Sequence, residues 1–334
     1  MKKMRIIIGM FMALSITVMM GCVEEFEANI TDMPTEGLVV EGDIISDSTV
    51  VFQLSKTLPL DISGENEDLF DTFQDVDAEV CVKGSDGTLW QAQWWGRGKY
   101  RVEIGTLKPD VAYHLEIQYN GDTYQSEPQR PLKTRGIEKM AFRQPDLNGP
   151  VTISLDTEEG EAGGADYYLW FFEEDWEVRA HFQTLYLYEP ESKRIVEYAY
   201  PPVAQGWCYN STDQIILGTT ESNTKNQMVE KTIRTIENND HRLSCLYSIR
   251  VQQRNLTRQE YEYYQVRNKM SNEMGGLFTP QPSELPTNIT CSDPSRKVIG
   301  YVGCNMGVAH YQLYIPEEEV FYLDTYQCLY LKDI

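Results

Sequence analysis

The chain has 334 residues, with 51 acidic against 29 basic side chains and a formal charge of −22 at pH 7. It therefore repels phosphate backbones and anionic lipid surfaces, which excludes nucleic-acid binding as an expectation. A hydrophobic content of 41% is ample for buried cores and excludes a disordered chain, and the length points to two domains.

MKKMR carries three positive charges and leads into the apolar run IIIGMFMALSITVMM, shorter than the roughly 20 residues a membrane span requires. Residues 1–21 thus read as a secretory signal. The signal ends in Gly21-Cys22, which resembles the lipobox of bacterial lipoproteins, with Met19 where Leu is usual. The resemblance implies a diacylglycerol on the Cys22 thiol, cleavage before Cys22, acylation of the new amine by a chain such as palmitate, and residues 22–36 as a lipidated tether. Each buried methylene contributes about 0.8 kcal/mol, and more than one chain gives lasting attachment. Cleavage removes Lys2, Lys3 and Arg5 and takes the formal charge from −22 to −25. Glu24 and Glu25 behind the anchor resemble the signal that sends Bacteroidota lipoproteins to the cell surface; a plain solvated tether fits the same residues.

From residue 37 the pattern turns to short β-rich runs: GLVVEGDII, TVVFQLS, DAEVCVKG, TLWQAQWW, KYRVEI, VAYHLEIQY and DTYQS. Their alternation predicts an immunoglobulin-like β-sandwich over residues 37–133. Asn120-Gly121 predicts a type I′ hairpin, since both residues tolerate positive φ. Trp90 and Trp94 share a parity that sends both inward, leaving Trp95 as the exposed contact candidate. The insertion PLDISGENEDLFDTFQDVD is acidic enough to attract calcium, but it lacks the EF-hand pattern and reads as a solvated loop.

EPQRPLKTRG reads as a linker. Residues 134–334 then form a larger β-rich domain, with strands predicted in VTISL, DYYLWFF, EVRAHFQTLYLY, RIVEYA, QIIL, MVEKTIRTI, LSCLYSIRVQ, VIGYVG, HYQLYI and VFYL. One helix is predicted at about 257–274, opened by a capping box of Thr257 and Glu260 and closed by Gly275-Gly276. The expected fold class is mainly β: the sandwich, then the β-rich domain with its one α-helix.

At this helix, LTRQEYEYY, GGLFTPQPSELPTNI and VIGYVG resemble in order the motifs of the Bacteroidota outer-membrane lipoprotein family called domain of unknown function 4249. The matching positions are Leu256, Thr257, Glu260, Tyr261, Gly276, Leu277, Phe278, Pro282, Asn288, Ile289, Gly300 and Tyr301; the early LVVEGDI fits too. The resemblance implies a lipid-anchored, surface-facing outer-membrane protein and a TonB-dependent transporter as partner, with no established activity and no residue-level site.

Six cysteines follow Cys22. In an exported chain an even number permits disulfides, so Cys208, Cys245, Cys291, Cys304 and Cys328 are candidates; Cys81 sits within a strand pattern. There is no HExxH, GxSxG or Walker A sequence, so no catalytic residue, metal site or cofactor is predicted. FFEEDWE carries the carboxylates nearest to a glycosidase pair, Glu173, Glu174, Asp175 and Glu177, but reads as a strand ending in an acidic turn. Trp95, Trp176, Tyr200 and Trp207 are the candidate ligand contacts, chosen for loop position. The expected function is non-enzymatic: a binding accessory to the transporter, held to the bilayer through Cys22. A surface adhesin or envelope structural protein and a surface glycoside hydrolase are the alternatives.

Overall fold

A computed structural model of the chain describes residues 37–57, 76–180, 185–197, 205–212, 214–273 and 285–322. Cys22, Glu24, Glu25, Tyr200, Cys328 and most of the acidic insertion lie outside the described residues, as do Gly276, Leu277, Phe278 and Pro282.

The first strands are β1 (Leu38–Glu41), β2 (Ile44–Ile45), β3 (Ser48–Lys56), β4 (Glu79–Gly84), β5 (Leu89–Gln91), β6 (Gln93–Gly96), β7 (Lys99–Ile104), β8 (Tyr113–Tyr119) and β9 (Asp122–Ser126). There follow β10 (Ile137–Arg143), β11 (Val151–Thr157), β12 (Tyr167–Arg179), β13 (Tyr186–Glu189), β14 (Arg194–Glu197), β15 (Gln205–Ser211), β16 (Ile216–Thr219), β17 (Lys231–Ile236) and β18 (Leu246–Leu256). The helix α1 (Arg258–Glu273) comes next, then β19 (Ile289–Cys291), β20 (Val298–Gly300), β21 (Cys304–Asn305) and β22 (Ala309–Pro316). The fold is mainly β with several sheets and one α-helix among the described residues.

Period-two alternation builds the first region. Along β7 every second residue, Tyr100, Val102 and Ile104, is buried, and β8 repeats this with Tyr113, Leu115 and Ile117. Two five-stranded sheets, β20-β1-β3-β7-β6 and β19-β9-β8-β4-β5, contribute to one core that includes Phe52, Leu54, Tyr100 and Leu115. Each such side chain contributes roughly 1.5–3 kcal/mol when fully buried. Asn120 and Gly121 take φ of 52° and 85°, as the hairpin between β8 and β9 requires.

Two expectations change here. The division at residue 133 assigns residues 289–305 to the second domain, but β20 pairs in parallel with β1, β19 pairs with β9, and β21 pairs with β2. Val302 and Cys304 enter the first core. A linker marks where the chain leaves a layer, not whether it returns. Trp94 does not turn inward: it is exposed, while Trp90 packs on the core. The chain passes between sheets at Ala92, with β5 on β4 and β6 on β7, so the parity is not continuous.

In the second region β15-β12-β18-β22 form a sheet whose inward face, with Trp170, Phe172, Tyr247, Ile249 and Val251, shares a core with Ile153 and Leu155 of the sheet β10-β11-β17. The opposite face is covered at one end by α1, where Leu169, Leu256, Tyr263, Tyr264 and Tyr301 cluster. FFEEDWE does not end in a turn: β12 continues through Arg179, with Glu174 inward and Glu173 and Asp175 outward. Val320 and its neighbours, the start of the predicted strand VFYL, are not in a strand.

Candidate functional site

The junction of α1, the β1–β2 turn and the last strands gathers the motif residues. Thr257 caps the helix, its Oγ1 accepting from the Glu260 N–H at 3.2 Å. The Glu260 carboxylate in turn accepts from the Thr257 N–H, so the expected capping box is complete. The same carboxylate pairs with Arg254 on β18, Oε1 to Nη2 at 3.1 Å, while Arg254 Nη1 meets Asp43 Oδ2 at 2.5 Å. Arg254 Nη2 also donates to the Tyr264 hydroxyl at 3.3 Å. One buried guanidinium thus serves two carboxylates. Burial, with Asp43 adding to it and Arg254 opposing, raises Glu260 from 4.5 to about 7.

Glycines make this approach possible. A Cβ on Gly303 would lie 2.5 Å from Glu260 Oε1, and its N–H donates to Asp43 Oδ1 at 2.9 Å. Gly300, at φ +140°, brings β20 so close to β1 that a Cβ would stand 2.1 Å from the Val40 carbonyl oxygen. Asn288 braces the next turn, donating to the Val302 carbonyl at 2.9 Å and accepting from the Val302 N–H at 3.0 Å. The Tyr261 ring packs 5.1 Å from that of Tyr167.

Beside this network is a cavity of about 190 Å³ lined by Val40, Glu41, Gly42, Phe171, Ile215, Tyr263, Tyr264, Arg267 and Tyr301. Arg267 Nη2 and Glu41 Oε1 pair there at 2.6 Å, both half-exposed. Phe171 also lines a neighbouring cavity of about 90 Å³ with Asp43, Gln252, Gln253 and Arg254. Aromatic walls with a few fixed polar groups suit a small organic ligand. Burial raises the Tyr264 phenol far above its ordinary value, so it remains a neutral donor and acceptor.

The FFEEDWE carboxylates are arranged differently. Glu174 is wholly buried on the inward face and receives Tyr247 Oη at 2.7 Å, Asn210 Nδ2 at 2.8 Å and Arg234 through two bonds of 3.2 Å. Arg242 stands 3.7 Å away. Its oxygens are committed to holding the second core together.

The candidate contacts separate. Trp95 is 63% exposed on β6 and Trp207 is 58% exposed on β15, in different sheets. Trp176 is a correction: at 7% exposed it faces the second core, edge-on to His241 with the Arg242 guanidinium 5.1 Å from its ring. It lies within β12 rather than on a loop, and its even parity sends it inward. The disulfide expectation also changes, because Cys208, Cys245, Cys291 and Cys304 are free thiols, as is Cys81. Cys291 and Cys304 belong to the first core and Cys208 packs on the second, so the layers keep these thiols apart. Burial pushes the Cys304 thiol up to about 12. Asp43, Arg254, Tyr263 and Tyr264 carry no site signal in the sequence beyond the charge of Arg254 shortly before the helix cap.

A family model described as Domain of unknown function (DUF4249) matches residues 23–306, a span that holds the whole junction. No curated protein matches the chain. No helix among the described residues is long and apolar enough to cross a membrane.

Proposed function

Starting from the fact that this chain belongs to the DUF4249 family, we propose that it is a lipid-anchored binding protein of the bacterial outer membrane, facing the cell surface. It assists a TonB-dependent transporter by capturing a nutrient and handing it over, without turning it over. The observation that carries this reading is the aromatic cavity under α1, whose surrounding carboxylates are tied to arginines: Asp43 and Glu260 to Arg254, Glu41 to Arg267. The pairing of Asp43 and Glu41 with arginines supports binding and shape. The arginine-bound state of Glu174, with Glu173 and Asp175 on the opposite face, weighs against a glycosidase pair. The Gly21-Cys22 pattern supports the anchor.

The test is gentle detergent extraction of the tagged full chain from its native membrane, followed by identification of what co-purifies. A TonB-dependent transporter recovered with the wild-type chain, and released when Cys22→Ala removes the anchor, is the expected result. Recovery of the chain alone overturns the stable-complex form of the proposal.

A further inference from the structure

Among the described residues the strand β15 forms one edge of the second sheet, with no strand on its outer side. Thr212 N donates to the Phe172 carbonyl at 2.9 Å, and the register continues through Glu174↔Asn210 and Trp176↔Cys208 without a shift. In an antiparallel ladder hydrogen-bonded and non-hydrogen-bonded pairs alternate. Residues 208, 210 and 212 therefore direct their main-chain groups toward β12. Trp207, Tyr209 and Ser211 direct theirs away from it, and no described residue answers them.

Natural edges are usually blunted by brevity, bulges, proline or charge. β15 has none of these: it is seven residues long, regular, and reads QGWCYNS without one charged side chain. In a chain of net charge −22, this is a neutral window. Trp207 and Tyr209 stand exposed on it, Tyr209 at 84%.

Trp207 and Tyr209 together expose on the order of 300 Å², taking roughly 200 Å² for a fully exposed large side chain, and the seven-residue main chain of β15 adds to that surface.

We infer that β15 is a self-pairing edge, and that two copies of this chain join there antiparallel about a twofold axis into one continuous sheet. The sequence is self-complementary in that register. Tyr209 falls opposite Tyr209 of the second copy, and Trp207 falls opposite Ser211. All three pairs bring outward main-chain groups together, and no like charges oppose each other. A twofold contact of this kind closes on itself and leaves no growing end.

Two measurements test it on the full chain in mild detergent. Light scattering after size-exclusion chromatography is expected to give the dimer mass. Trp207→Pro, which removes an N–H that has no partner among the described residues, is expected to weaken dimerisation by about tenfold or more while leaving the thermal melt in place. In membranes, oxidation is expected to cross-link Tyr209→Cys to itself, because facing Cα atoms lie about 5.5 Å apart. Ser211→Cys is expected to stay uncoupled, like the wild-type chain. A monomer mass at about 50 µM, well above the micromolar range of ordinary association, overturns the inference. So does cross-linking at Ser211→Cys without Tyr209→Cys, and so does a different protein cross-linked to position 209 in place of a second copy.

Discussion

The sheet that carries β12 and β18 holds a buried ion cluster on each face, and the two are unbalanced in opposite senses. On the inward face one carboxylate, Glu174, is answered by Arg234, Tyr247 and Asn210, with Arg242 nearby. On the face under α1 one guanidinium, Arg254, is shared by Asp43 and Glu260. Arg234 and Arg242 keep about a quarter of their side chains in water, whereas Arg254 is 6% exposed. The Glu174 cluster is therefore a solvated brace over a core. The Arg254 cluster is a dry pivot joining strand β18, the helix and the first region, and it carries a surplus negative charge.

Arg254→Met breaks this contrast at its strongest point. It leaves the buried Glu260 and the partly buried Asp43 without a cation and is expected to cost about 3–5 kcal/mol in urea unfolding. The surplus charge sharpens the comparison next. Glu260 is raised from 4.5 to about 7 when folded, so the native state keeps a proton that the unfolded chain releases. Stability from this group is then highest below 4.5 and declines as pH rises through about 7. The melting temperature of Glu260→Gln, measured against wild type, is expected to gain over that window. A gap independent of pH would show that the pivot holds no surplus charge. Glu174→Gln keeps one oxygen to accept from Asn210, turns the Tyr247 bond around so that the phenol accepts, and frees arginines that already reach water, so a smaller loss of about 1–2 kcal/mol is expected. If it costs more than Arg254→Met, the ranking of the two clusters is wrong. Thr257→Ala removes the cap together with a long contact to the Tyr301 hydroxyl at 3.4 Å and is expected to cost about 1 kcal/mol by thermal unfolding.

Much of the first region was legible because its strands alternate cleanly. KYRVEI and DTYQS coincide with β7 and β9, and the helix predicted at about 257–274 is observed at Arg258–Glu273. β15 was not read as a strand. Gln-Gly-Trp-Cys-Tyr-Asn-Ser contains glycine and amides typical of loops, and only its register with β12 makes it a strand. Trp207 is therefore exposed on a strand and not on a loop. The Arg254 pivot was hidden for another reason. Asp43 and Gly303 are 260 positions apart, and no local pattern reports that they meet. Tyr261, Tyr264, Met270 and Met274 recur at helical spacing and read as a core stripe; Tyr264 is buried, but Tyr261 and Met270 are half-buried, Met274 lies outside the described residues, and Tyr263 and Tyr264 also wall the cavity.

The return of the chain to β1, β2 and β9 has a consequence in time. During synthesis, strands near residue 40 emerge long before their neighbours at Val298–Gly300 and Cys304–Asn305 exist. Until then β1 has only β3 beside it and β2 lacks its partner, so the first region waits as an unfinished structure with an open flank. Contacts this distant in sequence slow folding and extend the interval in which apolar edges meet other chains. A chaperone that shields nascent chains would find its longest engagement at the first strands made, and any truncation that spares the amino-terminal half but removes residues 289–305 would leave that half unable to close.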